Sequence, residues 1–95
     1  MGKQYSVDKL LAVASDLPVV TFPVTELLWM VGDYDKARVA GVDTTIPILV
    51  NKLADGKWVT LDGYHRLVKV VTSERRKSIH TKIVSNDLLA QCVIN

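Results

Sequence analysis

A single cysteine, Cys92, stands in the 95 residues. That excludes an intramolecular disulfide framework and any thiolate-rich zinc site. No apolar run is long enough to span a membrane, and Met1-Gly2-Lys3-Gln4-Tyr5 does not open a signal peptide, so the cytoplasm is the expected compartment. Gly2 with Ser6 fits the myristoylation pattern only loosely. Nor is charge of one sign in excess. Twelve Lys and Arg against ten Asp and Glu leave +2, short of the basic surface by which a protein grips duplex nucleic acid. What remains is ordinary globular material, 48% hydrophobic and 23% charged, which excludes disorder and fits one domain over residues 1–95.

Periodicity organises the chain as α-β-α-β-β-α-β-α, a mixed α/β domain with a small mixed sheet and flanking helices. Ser6 caps a first helix whose stripe is Leu10, Leu11, Val13, Ala14 and Leu17, and Pro18 stops it. Val19–Val24 reads as a strand, with Pro23 pushing it toward an edge or an end. Thr25–Met30 is open between a short helix and extended chain. A second helix runs from Tyr34 to about Val42, capped by Asp33 and ended by Gly41. Thr44–Val50 is a buried strand, Asp55-Gly56 a hairpin turn, and Trp58–Leu61 the returning strand. A helix follows from Tyr64 through Val71, then a strand over Ser78–Val84. Ser85-Asn86-Asp87 caps a terminal helix that contains Leu88, Leu89 and Cys92.

One segment stands out chemically: Leu61-Asp62-Gly63-Tyr64-His65-Arg66-Leu67. A strand ends, Gly63 permits a tight turn, and His65 and Arg66 fall in the first turn of a helix, where free amides attract anions. An Arg there can fork onto a phosphate, and a His can donate or shuttle a proton. Asp62 is open between capping the helix and holding a metal ion beside the phosphate. The plainer alternative is a capped helix with Arg66 solvated on its outer face.

With its context, Ile46-Pro47-Ile48-Leu49-Val50, an Asp-Gly hairpin, then Asp62-Gly63-Tyr64-His65-Arg66 heading a helix, the chain resembles the ParB/sulfiredoxin-like superfamily over residues 19–86. The first helix, residues 6–17, lies outside that core. The resemblance implies a nucleotide-phosphate site for ATP or another nucleotide, with or without Mg2+. Its phosphate-binding residues would be Lys36, Asp62, Gly63, Tyr64, His65 and Arg66. By analogy with the superfamily's serine kinases, Asp33, Asp35 or Glu26 would be the general base, with His65 as proton shuttle, giving phosphotransfer or phosphohydrolase activity. Two departures narrow this. Tyr64 replaces the sulfiredoxin cysteine, which makes sulfinic-acid reduction an unexpected activity. Tyr64-His65-Arg66 replaces the Glu-Arg-Arg of ParB, and no helix-turn-helix domain follows within these residues. A non-catalytic module that binds nucleic acid or a host protein, as in a phage or plasmid protein, is the alternative.

The remaining candidates read as structural. Arg75, Arg76, Lys77, His80 and Lys82 form a basic cluster, expected to be the solvated face of an edge strand. Trp29 and Trp58 are expected in the core or lining a groove, with one a candidate platform for a nucleotide base. Cys92 is expected to be a small buried hydrophobe. On this reading Arg66→Ala weakens nucleotide binding while changing stability little, whereas Asp62→Ala, as loss of a cap, costs about 1 kcal/mol.

Overall fold

The computed structural model describes residues 4–94; Gly2, and with it the myristoylation-like pattern, lies outside the described residues. Ahead of the first helix a two-residue strand, β1 (Gln4–Tyr5), precedes Ser6, whose Oγ accepts from the Lys9 amide at 3.2 Å and starts α1 (Val7–Ala14). Strand β2 (Val20–Pro23) leads into two single turns of 3₁₀ helix, Val24–Glu26 and Leu28–Met30. Then come α2 (Lys36–Ala40), β3 (Ile48–Lys52), β4 (Trp58–Asp62), α3 (Tyr64–Thr72), β5 (Ser78–Ile83), α4 (Asn86–Ala90) and β6 (Val93–Ile94). The fold is mixed α/β: four helices and six strands in two sheets among the described residues. None of these helices is long and apolar enough to cross a membrane.

The main sheet has the order β2-β5-β3-β4. Strands β3 and β5 run parallel, and the other neighbours are antiparallel. Strand alternation divides the apolar residues between two faces. Phe22, Ile48, Val50 and Ile79 pack against Leu67 and Val70 of α3, with Val24 and Leu27 completing that core. Leu49 and Val84 face the other way, onto Leu10 and Ala14 of α1, Leu89 of α4, and Cys92. Because β3 is covered on both sides, it reads in sequence as an unbroken apolar run. Asn51 ends that run: its buried amide donates to Val84 O at 2.8 Å and to Asn86 Oδ1 at 2.9 Å, fastening β3 to the start of α4.

Several expectations need correction. The second helix is capped not by Asp33 but by Asp35, whose Oδ1 accepts from the amides of Ala37 (2.9 Å) and Arg38 (3.3 Å). The central strand starts at Ile48, not Thr44. Asp43 folds the preceding residues into a turn through the amide and hydroxyl of Thr45, and Pro47 has no N–H to give a ladder. Ile46, read as core, is 52% exposed, and Leu11 is also exposed. The first helix ends at Ala14, with the Ser15 hydroxyl donating back to Ala12 O at 2.8 Å. The β5 strand lies inside the sheet, so its charged residues do not guard an edge. Lys82 instead sends its ammonium to Ala14 O (3.0 Å) and Ser15 O (3.3 Å) at the end of α1. Cys92 is buried as expected but follows α4 rather than lying in it. The paired strands β1 and β6 were not anticipated; two residues are too few to show a period.

Leu67 is fully buried between α3 and the sheet, while Leu11 is half in solvent. Leu67→Ala is expected to lower stability by about 2–5 kcal/mol, and Leu11→Ala by under about 0.5 kcal/mol. Urea unfolding of the two variants checks this, and equal losses would contradict the assignment of the core.

Candidate functional site

The motif assembles where β4 meets α3. Val50 pairs with Thr60 but Leu49 pairs with Asp62, so one extra residue is inserted on β4. Such a bulge bends a strand and re-aims the residues after it. Gly63 follows with φ +99°, a left-handed conformation that L side chains rarely adopt. A Cβ there would also lie 2.6 Å from Ile48 Cγ2 and 3.0 Å from the Arg66 guanidinium. Both backbone and space therefore require glycine. No side chain caps α3. Its first amides, on Tyr64, His65 and Arg66, are left for solvent or a ligand, and the helix dipole adds partial positive charge at the same point.

These amides border a cleft of about 350 Å³ lined by residues 60–66 together with Arg38 and Val42, a volume suited to a small ligand. Tyr64 anchors one wall: its hydroxyl accepts from Gly32 N at 2.9 Å and donates to Asp33 O at 3.2 Å, fixing the loop before α2. The His65 ring meets the Tyr64 ring edge-on at 5.6 Å. Arg66 is not solvated on an outer face. With its side chain 14% exposed, it donates through Nη1 to Pro47 O (3.0 Å) and Ile46 O (3.4 Å), and through Nη2 to Asp62 Oδ2 (3.0 Å). Asp62, correspondingly, is the partner of Arg66 and not a cap.

The structure thus brings Asp62, Gly63, Tyr64, His65 and Arg66 into one cleft. The side chains of the other four sequence candidates lie apart from it; Glu26 is exposed at the end of the first 3₁₀ turn and does not line this cleft. Lys36 lines a separate cleft of about 290 Å³ with Tyr34, Thr72 and Ser73, near the far end of α3. The Asp35 carboxylate is engaged as the α2 cap, and Asp33 meets the site through its backbone oxygen. Two lining residues were missed in the sequence. Arg38 takes the place expected of Lys36: the two lie two residues apart on α2, roughly 200° around its axis, and so face different clefts. Among the described residues the Arg38 guanidinium has neither an ion-pair partner nor a side-chain hydrogen bond. Thr60 also lines the cleft, and its Oγ1 is buried with no hydrogen-bond partner. Neither residue carries a signal visible without the fold.

Nearby, the Thr45 hydroxyl and amide hold the Asp43 carboxyl below its ordinary range, with Lys69 and Arg66 adding smaller attraction. A lowered native value means this contribution is present above the unfolded value near 3.8 and fades as pH falls below it. Among the described residues no group of three or more His, Cys, Asp or Glu could hold a metal ion. The one carboxylate lining the cleft, Asp62, is already bonded to Arg66, so a magnesium ion would fit here only as one carried on nucleotide phosphates. Scans against protein-family models and against curated proteins found no match to the chain.

The bonding of Arg66 reverses the mutational order expected from the motif alone. Arg66→Ala strands the Pro47 carbonyl and the Asp62 carboxylate and is expected to cost about 2–3 kcal/mol. Asp62→Ala breaks one partly exposed ion pair and should cost about 1 kcal/mol or less. Gly63→Ala must adopt an unfavourable backbone and displace Ile48, at about 2 kcal/mol or more. Melting temperatures of the three variants without ligand check this; Arg66→Ala no worse than Asp62→Ala would contradict it.

Proposed function

We propose that this protein binds a nucleotide or other phosphate ligand at the start of α3, as the resemblance to the ParB/sulfiredoxin-like superfamily implies. The observation that carries the reading is the uncapped first turn of α3, set on a left-handed glycine and opening on a cleft of about 350 Å³. The amides of Tyr64, His65 and Arg66 would take phosphate oxygens. Arg38 would supply the unpaired positive charge, and the His65 ring a further donor. Arg66 contributes its charge and one amide, while its guanidinium keeps the turn in shape. Phosphotransfer or phosphohydrolysis is the second reading, favoured by His65 lining the cleft beside the uncapped amides, where its ring would carry the proton.

A thermal-shift panel of ATP, ADP, CTP and GTP, with and without magnesium, tests this. A ligand at about a hundred times its Kd adds about 2.7 kcal/mol to stability, which for a domain of this size raises Tm by roughly 10 °C or more. Arg38→Gln should remove most of that rise while leaving the unliganded Tm unchanged. A flat panel contradicts the proposal, and turnover of labelled ATP separates the second reading from simple binding.

A further inference from the structure

The end of β4 remote from the cleft carries a second surface that the phosphate site does not use. Trp29 is 52% exposed, yet its indole is fixed: Nε1 donates to Trp58 O at 2.9 Å. The Lys57 ammonium lies 5.1 Å from the centre of the Trp29 ring, and the Lys52 ammonium 5.9 Å from that of Trp58. Lys52 and Trp58 are cross-strand partners, and Leu53 N donates to Lys57 O at 2.7 Å. Trp29 and Lys57 therefore form an exposed pair beside the partly buried Trp58, over which Lys52 lies. Neither lysine is paired with a carboxylate among the described residues. The adjacent Asp55 turns its Oδ1 to the backbone amide of Lys57 at 2.9 Å.

An exposed tryptophan held by a hydrogen bond has already lost the rotamer freedom that binding would otherwise cost. Two unpaired ammonium groups beside it call for an anionic partner. A duplex demands a wider basic surface than two lysines provide. An acidic peptide would match the charge but leave the flat indole uncovered. A single-stranded nucleic acid satisfies both demands, since each base has a π face and each linkage a phosphate. We infer that this surface binds single-stranded nucleic acid, with one base stacked on Trp29 in place of the Lys57 ammonium, which turns with Lys52 to neighbouring phosphates. The inference rests on the hairpin and the second 3₁₀ turn alone and does not depend on the α3 cleft.

The test is fluorescence anisotropy of a labelled oligothymidylate of about ten nucleotides, titrated with the full chain in low-salt buffer. Trp29→Ala should weaken binding about tenfold or more. The double variant Lys52→Gln/Lys57→Gln should reduce the slope of log K against log salt by about 1.4, at about 0.7 per phosphate contact. Trp29→Phe, which keeps a ring but loses the Nε1 anchor, should fall between wild type and Trp29→Ala, and it decides the matter if Trp29→Ala does not fold. No binding by the wild-type chain would overturn the inference. So would wild-type affinity in both Trp29→Ala and the lysine double variant, or displacement of the oligonucleotide by an equimolar oligoglutamate peptide.

Discussion

The Arg66 guanidinium is the fastening on which the candidate site depends. One edge of it bonds the carbonyls that lead into β3, and its Nη2 bonds the carboxylate at the end of β4. The residue itself belongs to the first turn of α3. The residues leading into β3 are thus fixed to the turn between β4 and α3 by one planar, permanently charged group, a task that suits Arg and not Lys. The same arrangement adds to the glycine requirement at position 63, which the left-handed backbone and Ile48 impose first, because the guanidinium also borders the space a Cβ would need. A turn shaped in this way leaves its helix without a side-chain cap, and that is where the chemistry of the site begins.

The same device recurs twice. Lys69 donates to Ala40 O (3.1 Å) and Val42 O (3.0 Å) after α2, and Lys82 donates to the carbonyls that end α1. Helices of five and eight residues are too short to be stable alone, and their last carbonyls lack partners within the helix. A cation placed there satisfies those carbonyls and meets the negative end of the dipole. Three of the twelve basic residues are therefore committed to the backbone. The formal charge of +2 says little about where a ligand would be held. Position matters more: among the described residues Arg38 at one end of β4, lining the cleft, and Lys52 and Lys57 at the other, each near an indole ring, are cations without an acidic partner.

What could be read from the sequence was local. Ser6 and Ser85 cap the helices expected of them, Asp55-Gly56 turns the hairpin, and the strand–glycine–helix at residues 58–72 falls where the motif puts it. Hydrophobic patterning recovers the order of elements and the mixed sheet because β3 and α3 carry strong, uninterrupted signals. The failures at the charged residues depended on partners distant in the chain, whereas the α2 cap and the start of β3 turned on the local side chains of Asp35 and Asp43. The cap of α2 was read as Asp33 and is Asp35, and Arg38 rather than Lys36 lines the cleft. Arg66 and Lys82 read as solvated charges, since nothing local reveals the carbonyls of Pro47 or Ala14 waiting for them. Trp29 was expected in or beside the core, but its indole is held at the surface by a carbonyl 29 residues away.

The central claim is that the open first turn of α3 takes phosphate. It is tested most directly by amide NMR of the 15N-labelled chain titrated with inorganic pyrophosphate. The account predicts that the largest and saturable shifts fall on Gly63, Tyr64, His65 and Arg66, with the Arg38 side chain moving alongside them. Absence of shifts at those amides, or shifts confined to Lys52 and Lys57 on the hairpin, would contradict it.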